Sequence, residues 1–258
     1  ATYKGVKGGT VQNFAGDPSN PINGQVWYNV ASVIFNIAEV TTAGSWSTGS
    51  SLNTARTFDG GLNIGSAPHS ALVAGDGPPP SGITEEYNGI TWTEKADLNS
   101  NRYSSSGAGT TTAGLLFSGE AYPNPSPYKR DNTETWNGSA WSAVAALNEV
   151  KQSGAGGGTQ TSALMAGGQT PPEAVLTITA NTESWNGSAW TQVNDLNAAT
   201  RMLGMASADN TSAVVFGGLT PPTSAKTQVW NGTSWTEVND LNTARYGLGG
   251  TGIVTAAL

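Results

Sequence analysis

The tryptophans of this chain recur in step with a second motif, and that lockstep limits what the chain can fold into. Trp46, Trp92, Trp141, Trp190 and Trp235 are separated by 46, 49, 49 and 45 residues. A Leu-Asn pair follows each of them, at Leu52-Asn53, Leu98-Asn99, Leu147-Asn148, Leu196-Asn197 and Leu241-Asn242, with the same intervals. Two anchors moving together define a repeat. Its period is too long for leucine-rich or ankyrin units and falls in the range of a four-stranded propeller blade.

The interior of the repeat fits that geometry. After a basic residue comes a small, Gly-rich stretch and then an apolar run: Ser104 to Gly109 before Gly114-Leu115-Leu116-Phe117, and Gly154 to Gly158 before Ala163-Leu164-Met165-Ala166. Innermost strands of a propeller crowd together, so small side chains are expected first and large apolar ones on the strand behind. Pro-rich connections follow at 78–80, 123–127, 171–172 and 221–222, and proline cannot donate to a strand ladder. Then come Tyr87-Asn88-Gly89-Ile90-Thr91-Trp92, Trp136-Asn137-Gly138-Ser139-Ala140-Trp141, Trp185-Asn186-Gly187-Ser188-Ala189-Trp190 and Trp230-Asn231-Gly232-Thr233-Ser234-Trp235. Asn-Gly favours the positive φ of a tight hairpin, which places the flanking aromatics on adjacent antiparallel strands.

The chain ends depart from this pattern in complementary ways. Val33 to Val40 and the Thr41-Thr42-Ala43-Gly44 turn before Trp46 give an outer hairpin without an inner pair, while Arg245 to Leu258 aligns with an inner pair that lacks its hairpin. The expectation is an all-β, five-bladed β-propeller of four-stranded antiparallel blades, its ring closed by N- and C-terminal strands, a closure that removes exposed sheet edges. Gln25-Val26-Trp27-Tyr28-Asn29 is expected to pair with Val33 to Val40. Residues 1–24 read as an N-terminal arm and 25–258 as the propeller.

Composition excludes several function classes. A formal net charge of -7 with 11 Lys plus Arg leaves no basic stripe for nucleic acid or an anionic membrane, and the apolar runs are too short to span a bilayer. No cysteine is present, so disulfides and thiolate chemistry are out. Ala1 to Gly5 carry no signal-peptide core, which reads as the complete start of a cytoplasmically made protein, with a mature secreted protein as the alternative. The single histidine, His69, has no nucleophile motif to serve, and no Ca²⁺-loop or phosphate-loop motif occurs. No catalytic, cofactor-binding or metal-ligating residue is expected.

Repetition also argues against catalysis. Glu85, Glu134 and Glu183 share one position, with Gln228 in the last unit, and Asp97, Asp195 and Asp240 share another. A glycosidase needs an asymmetric pair of carboxylates. The basic series Arg56, Arg102, Lys151, Arg201 and Arg245 follows the Leu-Asn pairs and is expected to bind backbone carbonyls of a neighbouring blade in preference to ringing an anion site. The tryptophans are expected to be hairpin pairs and not sugar platforms.

The succession of basic residue, apolar strand ending in Gly167-Gly168 or Gly217-Gly218, and hairpin Trp resembles the kelch repeat, which builds propellers. The opening Ala1-Thr2-Tyr3-Lys4-Gly5, the stretch from Asp17-Pro18-Ser19-Asn20-Pro21 to Gly24-Gln25-Val26-Trp27-Tyr28-Asn29, and the Trp-Asn-Gly-Ser-Ala-Trp units look like kelch-like structural proteins of marine tailed phages. That resemblance implies a virion component: an appendage or tail-fibre attachment module, present in multiple copies, contacting other virion proteins and a host-surface glycan. The residues expected to make such contacts are Tyr122, Tyr128, Lys129 and Arg130, because only that connection adds aromatics and paired cations. The alternative is a secreted bacterial lectin or adhesin with sugar sites between blades.

Overall fold

The computed structural model describes residues 12–15, 26–31, 33–37, 48–56, 64–67, 69–77, 79–121, 130–170 and 177–257. They are all strand, turn and irregular backbone, with no helix. The chain divides into two compact units, Ala1–Thr48 and Gly49–Leu258.

The first unit holds β1 (Gln12–Phe14), β2 (Val26–Asn29) and β3 (Ile34–Ile37) in one sheet of that order. β1 runs parallel to β2, and β2 pairs antiparallel with β3, Val26 opposite Ile37. The expected pairing of Gln25–Asn29 with the Val33–Val40 run is therefore present over the described residues. Of the expected arm 1–24, only 12–15 are described.

Among its described residues the second unit contains four antiparallel four-stranded sheets. The first is β4 (Ile64–Ala67), β5 (Ser70–Asp76), β6 (Ser81–Tyr87) and β7 (Trp92–Lys95), and the second is β8 (Ser106–Thr110), β9 (Ala113–Phe117), β10 (Thr133–Trp136) and β11 (Trp141–Val144). The third uses β12 (Ala155–Thr159) and β13 (Ser162–Ala166), sets a short side pair β14 (Gln169–Thr170) and β15 (Thr177–Ile178) apart, and finishes with β16 (Thr182–Trp185) and β17 (Trp190–Val193). The fourth is β18 (Gly204–Asp209), β19 (Ser212–Phe216), β20 (Thr227–Trp230) and β21 (Trp235–Glu237), after which β22 (Gly252–Ile253) and β23 (Ala256–Ala257) form a two-stranded sheet of their own. Each is a simple meander, which the short Asn-Gly and two-residue turns permit.

The innermost strands pack in sequence, β4 on β8, β8 on β12, β12 on β18, and β18 on β22. Their small residues are a steric requirement. A Cβ on Gly156 would lie 2.7 Å from both the Phe117 ring and Ser106 Cβ on one side, and a Cβ on Gly157 would lie 2.9 Å from Ser207 Cβ on the other. β12 therefore fits between its neighbours only with two bare backbones.

Among the described residues three apolar cores lie between sheets. Ile64, Leu72 and Leu98 meet Leu116, Trp136 and Trp141 between the first and second sheets. Leu115, Phe117 and Leu147 meet Met165, Trp185 and Trp190 in the next interface, and Leu164 and Leu196 meet Met205, Val215, Trp230 and Trp235 in the last. Leu98, Leu147 and Leu196, each the Leu of a Leu-Asn pair, thus plug one interface apiece. Burying such a side chain contributes about 1.5–3 kcal/mol.

Two backbone devices hold the row. At the end of each second strand, a residue at positive φ, Gly75, Ser118, Gly167 or Gly217, lets the next linker approach; a Cβ on Gly167 would stand 2.3 Å from Thr200 O. The following N–H donates to that linker, from Asp76 to Arg102 O, Gly119 to Lys151 O, Gly168 to Thr200 O and Gly218 to Arg245 O. Two residues beyond each accepting carbonyl lies another left-handed position: Ser104, Ser153, Met202 and Gly247. These join head to tail, Ser153 N donating to Ser104 O (3.1 Å), Met202 N to Ser153 O (2.7 Å) and Gly247 N to Met202 O (2.9 Å).

Candidate functional site

The repeated polar residues converge on one arrangement in the linkers. Glu134 on β10 reaches the linker that enters its sheet: Oε2 accepts from Asn99 N (2.9 Å) and Nδ2 (2.8 Å), Oε1 accepts from Ser100 N (3.3 Å), and Arg102 forms an ion pair with it. The arrangement recurs. Glu183 accepts from Asn148 N and Nδ2 (2.8 and 2.9 Å) and pairs with Lys151 at 3.2 Å. Glu85 accepts from Asn53 N (2.7 Å) and pairs with Arg56 at 2.9 Å.

The cations are used on both sides. Arg102 Nη1 donates to Asn132 O (2.7 Å) and Nε to Ser100 O (3.2 Å), while Arg56 Nη1 donates to Gly75 O (2.7 Å) and Ile83 O (2.9 Å). The expected carbonyl contacts are present, joined by carboxylates that the sequence reading had not paired with them. Arg102, Lys151, Glu134 and Glu183 are almost completely buried. Burial pushes the Arg102 guanidinium below its ordinary range, Glu134 opposes that shift, and the nearby Arg130 charge adds to it.

The fourth linker corrects the basic series. The residue whose carbonyl and N–H occupy the Arg102 position is Thr200, whose N–H donates to Thr179 O as that of Arg102 does to Ser81 O. Arg201 lies one residue further on, its Nη1 bonded to Gln169 Oε1 at 2.6 Å. Thr200 therefore stands where the other linkers have a cation, and Gln228 stands where their sheets have a glutamate, accepting from Asn197 N at 3.0 Å. Both charges are absent together, which leaves no buried ion uncompensated.

The tryptophans are fixed as scaffold. Ring pairs Trp136–Trp141, Trp185–Trp190 and Trp230–Trp235 face across their hairpins with centroids 5.3, 5.4 and 5.3 Å apart. The first member of each donates to its own sheet's inner turn, Trp136 Nε1 to Thr111 O, Trp185 to Gln160 O and Trp230 to Asn210 O. The second reaches back one sheet, Trp141 Nε1 to Thr84 Oγ1 (3.0 Å), Trp190 to Thr133 Oγ1 (2.9 Å) and Trp235 to Thr182 Oγ1 (3.2 Å). The Leu-Asn lockstep also has its cause here, because Asn53, Asn99 and Asn148 Nδ2 donate at 3.0 Å to the carbonyls of Trp92, Trp141 and Trp190, the anchor Trp of the following unit. The Asn of each hairpin turn has its Oδ1 engaged by backbone N–H groups.

Among the residues expected to bind a partner, Tyr122, Tyr128 and Lys129 lie outside the described residues. Arg130 is described: it is half-buried, its N–H donates to Gly119 O at 2.8 Å, and its buried Nε has no hydrogen-bond partner among the described residues. On either side of 122–129 stand Ala121, which is buried, and Arg130, whose charge acts on Arg102 of the Arg102–Glu134 pair. His69 is exposed in the turn between β4 and β5, next to Gly89. Among the described residues no group of three or more His, Cys, Asp or Glu is placed to hold a metal ion, and no helix is long and apolar enough to cross a membrane.

No protein-family model matches the chain, and no curated protein matches it.

Proposed function

We propose that the chain is a five-bladed β-propeller closed by its N- and C-terminal strands, and that it serves as a structural protein of a tailed-phage virion. In this reading it is an appendage or tail-fibre attachment module, assembled in multiple copies, holding neighbouring virion proteins and a host-surface glycan through its connections. The observation that carries the reading is that the repeated aromatic and charged side chains are occupied inside the sheets and linkers, as with Trp141 on Thr84 and Arg102 on Glu134. Recognition then falls to the segments that do not repeat, above all the 121–130 connection with Tyr122, Tyr128, Lys129 and Arg130. The resemblance of the opening residues and hairpin units to marine phage structural proteins supplies the virion context.

Gradient-purified particles of the encoding phage test this directly. Mass spectrometry is expected to find the chain at a fixed copy number, with antibody labelling at the particle surface. Replacing residues 122–130 by a Gly-Ser linker is expected to abolish incorporation or adsorption while leaving the melting temperature unchanged. Absence of the chain from washed particles overturns the reading.

A further inference from the structure

The one-residue shift in the fourth linker releases a cation. Arg56, Arg102 and Lys151 are each paired with a glutamate that latches their linker, whereas Arg201 is half-buried and its Nη1 rests on a neutral amide, Gln169 Oε1, at 2.6 Å. Among the described residues no carboxylate pairs with Arg201, and its Nε has no hydrogen-bond partner. The edge of a guanidinium formed by Nε and Nη2 can grip a carboxylate with two parallel hydrogen bonds. Gln169 engages Nη1 and not that edge.

A second unsatisfied group stands beside it. Gln152 and Gln169 exchange both backbone hydrogen bonds, N to O at 3.1 and 2.9 Å, so their side chains leave the same face of the bridge directly opposite one another. Gln152 is 7% exposed and Gln169 3%, and Gln152 Oε1 has no hydrogen-bond partner among the described residues. A buried amide oxygen without a donor is costly. It calls for an O–H or N–H next to a guanidinium that calls for an anion. The following unit adds an aromatic ring. Met202 N donates to Ser153 O and Gly247 N to Met202 O, so the residues just before these three, Gln152, Arg201 and Tyr246, stand in succession at the entrances of neighbouring inner strands. Tyr246 is 54% exposed. The backbone position repeats while its side chain changes from unit to unit, unlike the Trp and Leu-Asn anchors.

We infer that Gln152, Gln169, Arg201 and Tyr246 form a binding site for an acidic saccharide. The sugar carboxylate lies on the Nε–Nη2 edge of Arg201, a ring hydroxyl donates to Gln152 Oε1, and the C–H face of the pyranose meets the Tyr246 ring, which is flat and apolar on its face. Gln169 is a positioning residue: it holds Arg201 by Nη1 and leaves its charge unneutralised, where a glutamate would cancel it. The inference rests on the glycan-binding part of the proposed function, gives that glycan a chemical class, and places a contact outside the 121–130 connection.

Titration calorimetry of the full chain with trigalacturonate and with sialyllactose, each beside its methyl ester, tests the site. At least one acid is expected to bind, and its ester about tenfold or more weakly, the size of one hydrogen bond to a charged group. R201K keeps the charge but loses the fork, and is expected to weaken the acid by about tenfold as well. Q169E is the variant that separates binding from folding: it supplies Arg201 with a carboxylate, so the acid is expected to be lost while the thermal midpoint stays level or rises. Binding of neither acid, equal binding of acid and ester, or unchanged binding in R201K and Q169E overturns the inference. The chain with 122–130 replaced by a Gly-Ser linker distinguishes the two glycan contacts. Binding lost there and kept in R201K overturns this site and leaves the connection as the contact; binding kept there and lost in R201K and Q169E upholds this site while removing the connection from glycan recognition.

Discussion

Glu85 sits where burial and hydrogen bonding pull its proton in opposite directions. Burial alone raises its pKa, but the Arg56 bond and the N–H groups of Asn53 and Thr54 outweigh it and hold the carboxyl below its ordinary value. A depressed folded-state pKa contributes stability that is complete above the unfolded value, about 4.3, and is lost as pH falls toward the folded one. Urea unfolding of the native chain should weaken steadily below about pH 4.3. Glu85→Gln should lose about 3–5 kcal/mol at neutral pH, because Arg56 is left buried without its counter-charge, and its curve should converge on the native one in acid. Equal stabilities at pH 7 would remove the latch from the energetics. The sequence placed Glu85, Glu134 and Glu183 in one column and Arg56, Arg102 and Lys151 in another. Nothing in linear spacing said that the columns meet, since two strand reversals separate each pair. Arg201 misled for the same reason: it lies one residue beyond its column, and only the bond from Gly168 to the Thr200 carbonyl reveals the shift.

The strands themselves were far more legible. Asn-Gly between aromatics gave the hairpins, and the alternation of small and apolar runs gave β8 with β9 and β12 with β13, because local turn chemistry and packing demand agree there. Gly156 makes the demand quantitative. Gly156→Ala forces a methyl against Ser106 Cβ and the Phe117 ring, both at 2.7 Å, and should cost about 1–3 kcal/mol by overpacking. Gly249→Ala, with nothing within 4 Å of the added carbon, should be neutral in the same thermal melts; equal effects would mean that the inner strands are not closely packed. The turns entering the inner strands were illegible, because Ser104, Ser153 and Met202 adopt positive φ with side chains that give no hint of it. Tertiary hydrogen bonds over-determine those residues, and local propensity is overruled.

At the scale of the molecule, the stretch after Arg245 covers the end of the row. Leu248 would meet a Cβ on Gly217 at 2.6 Å, and Gly250 lies against the Met205 backbone. Deleting 245–258 bares the fourth sheet and should unfold the chain or drive it into oligomers, read by light scattering and melting; a monomer with an unchanged midpoint would show that the row needs no cover. The repeat was visible from sequence because its anchors are large and regular. The ends were less so, because half a repeat carries only half of the anchors. The head-to-tail hydrogen bonds through Ser104, Ser153, Met202 and Gly247 bear on how such chains change over generations. Each repeat brings one donor and one acceptor, facing opposite ways. A recombination that duplicates or deletes a whole repeat strands neither group, whereas any fractional change strands one. Lineages of this architecture should drift in length by whole repeats, while the connections, which stand outside that hydrogen-bonded series, are free to diverge.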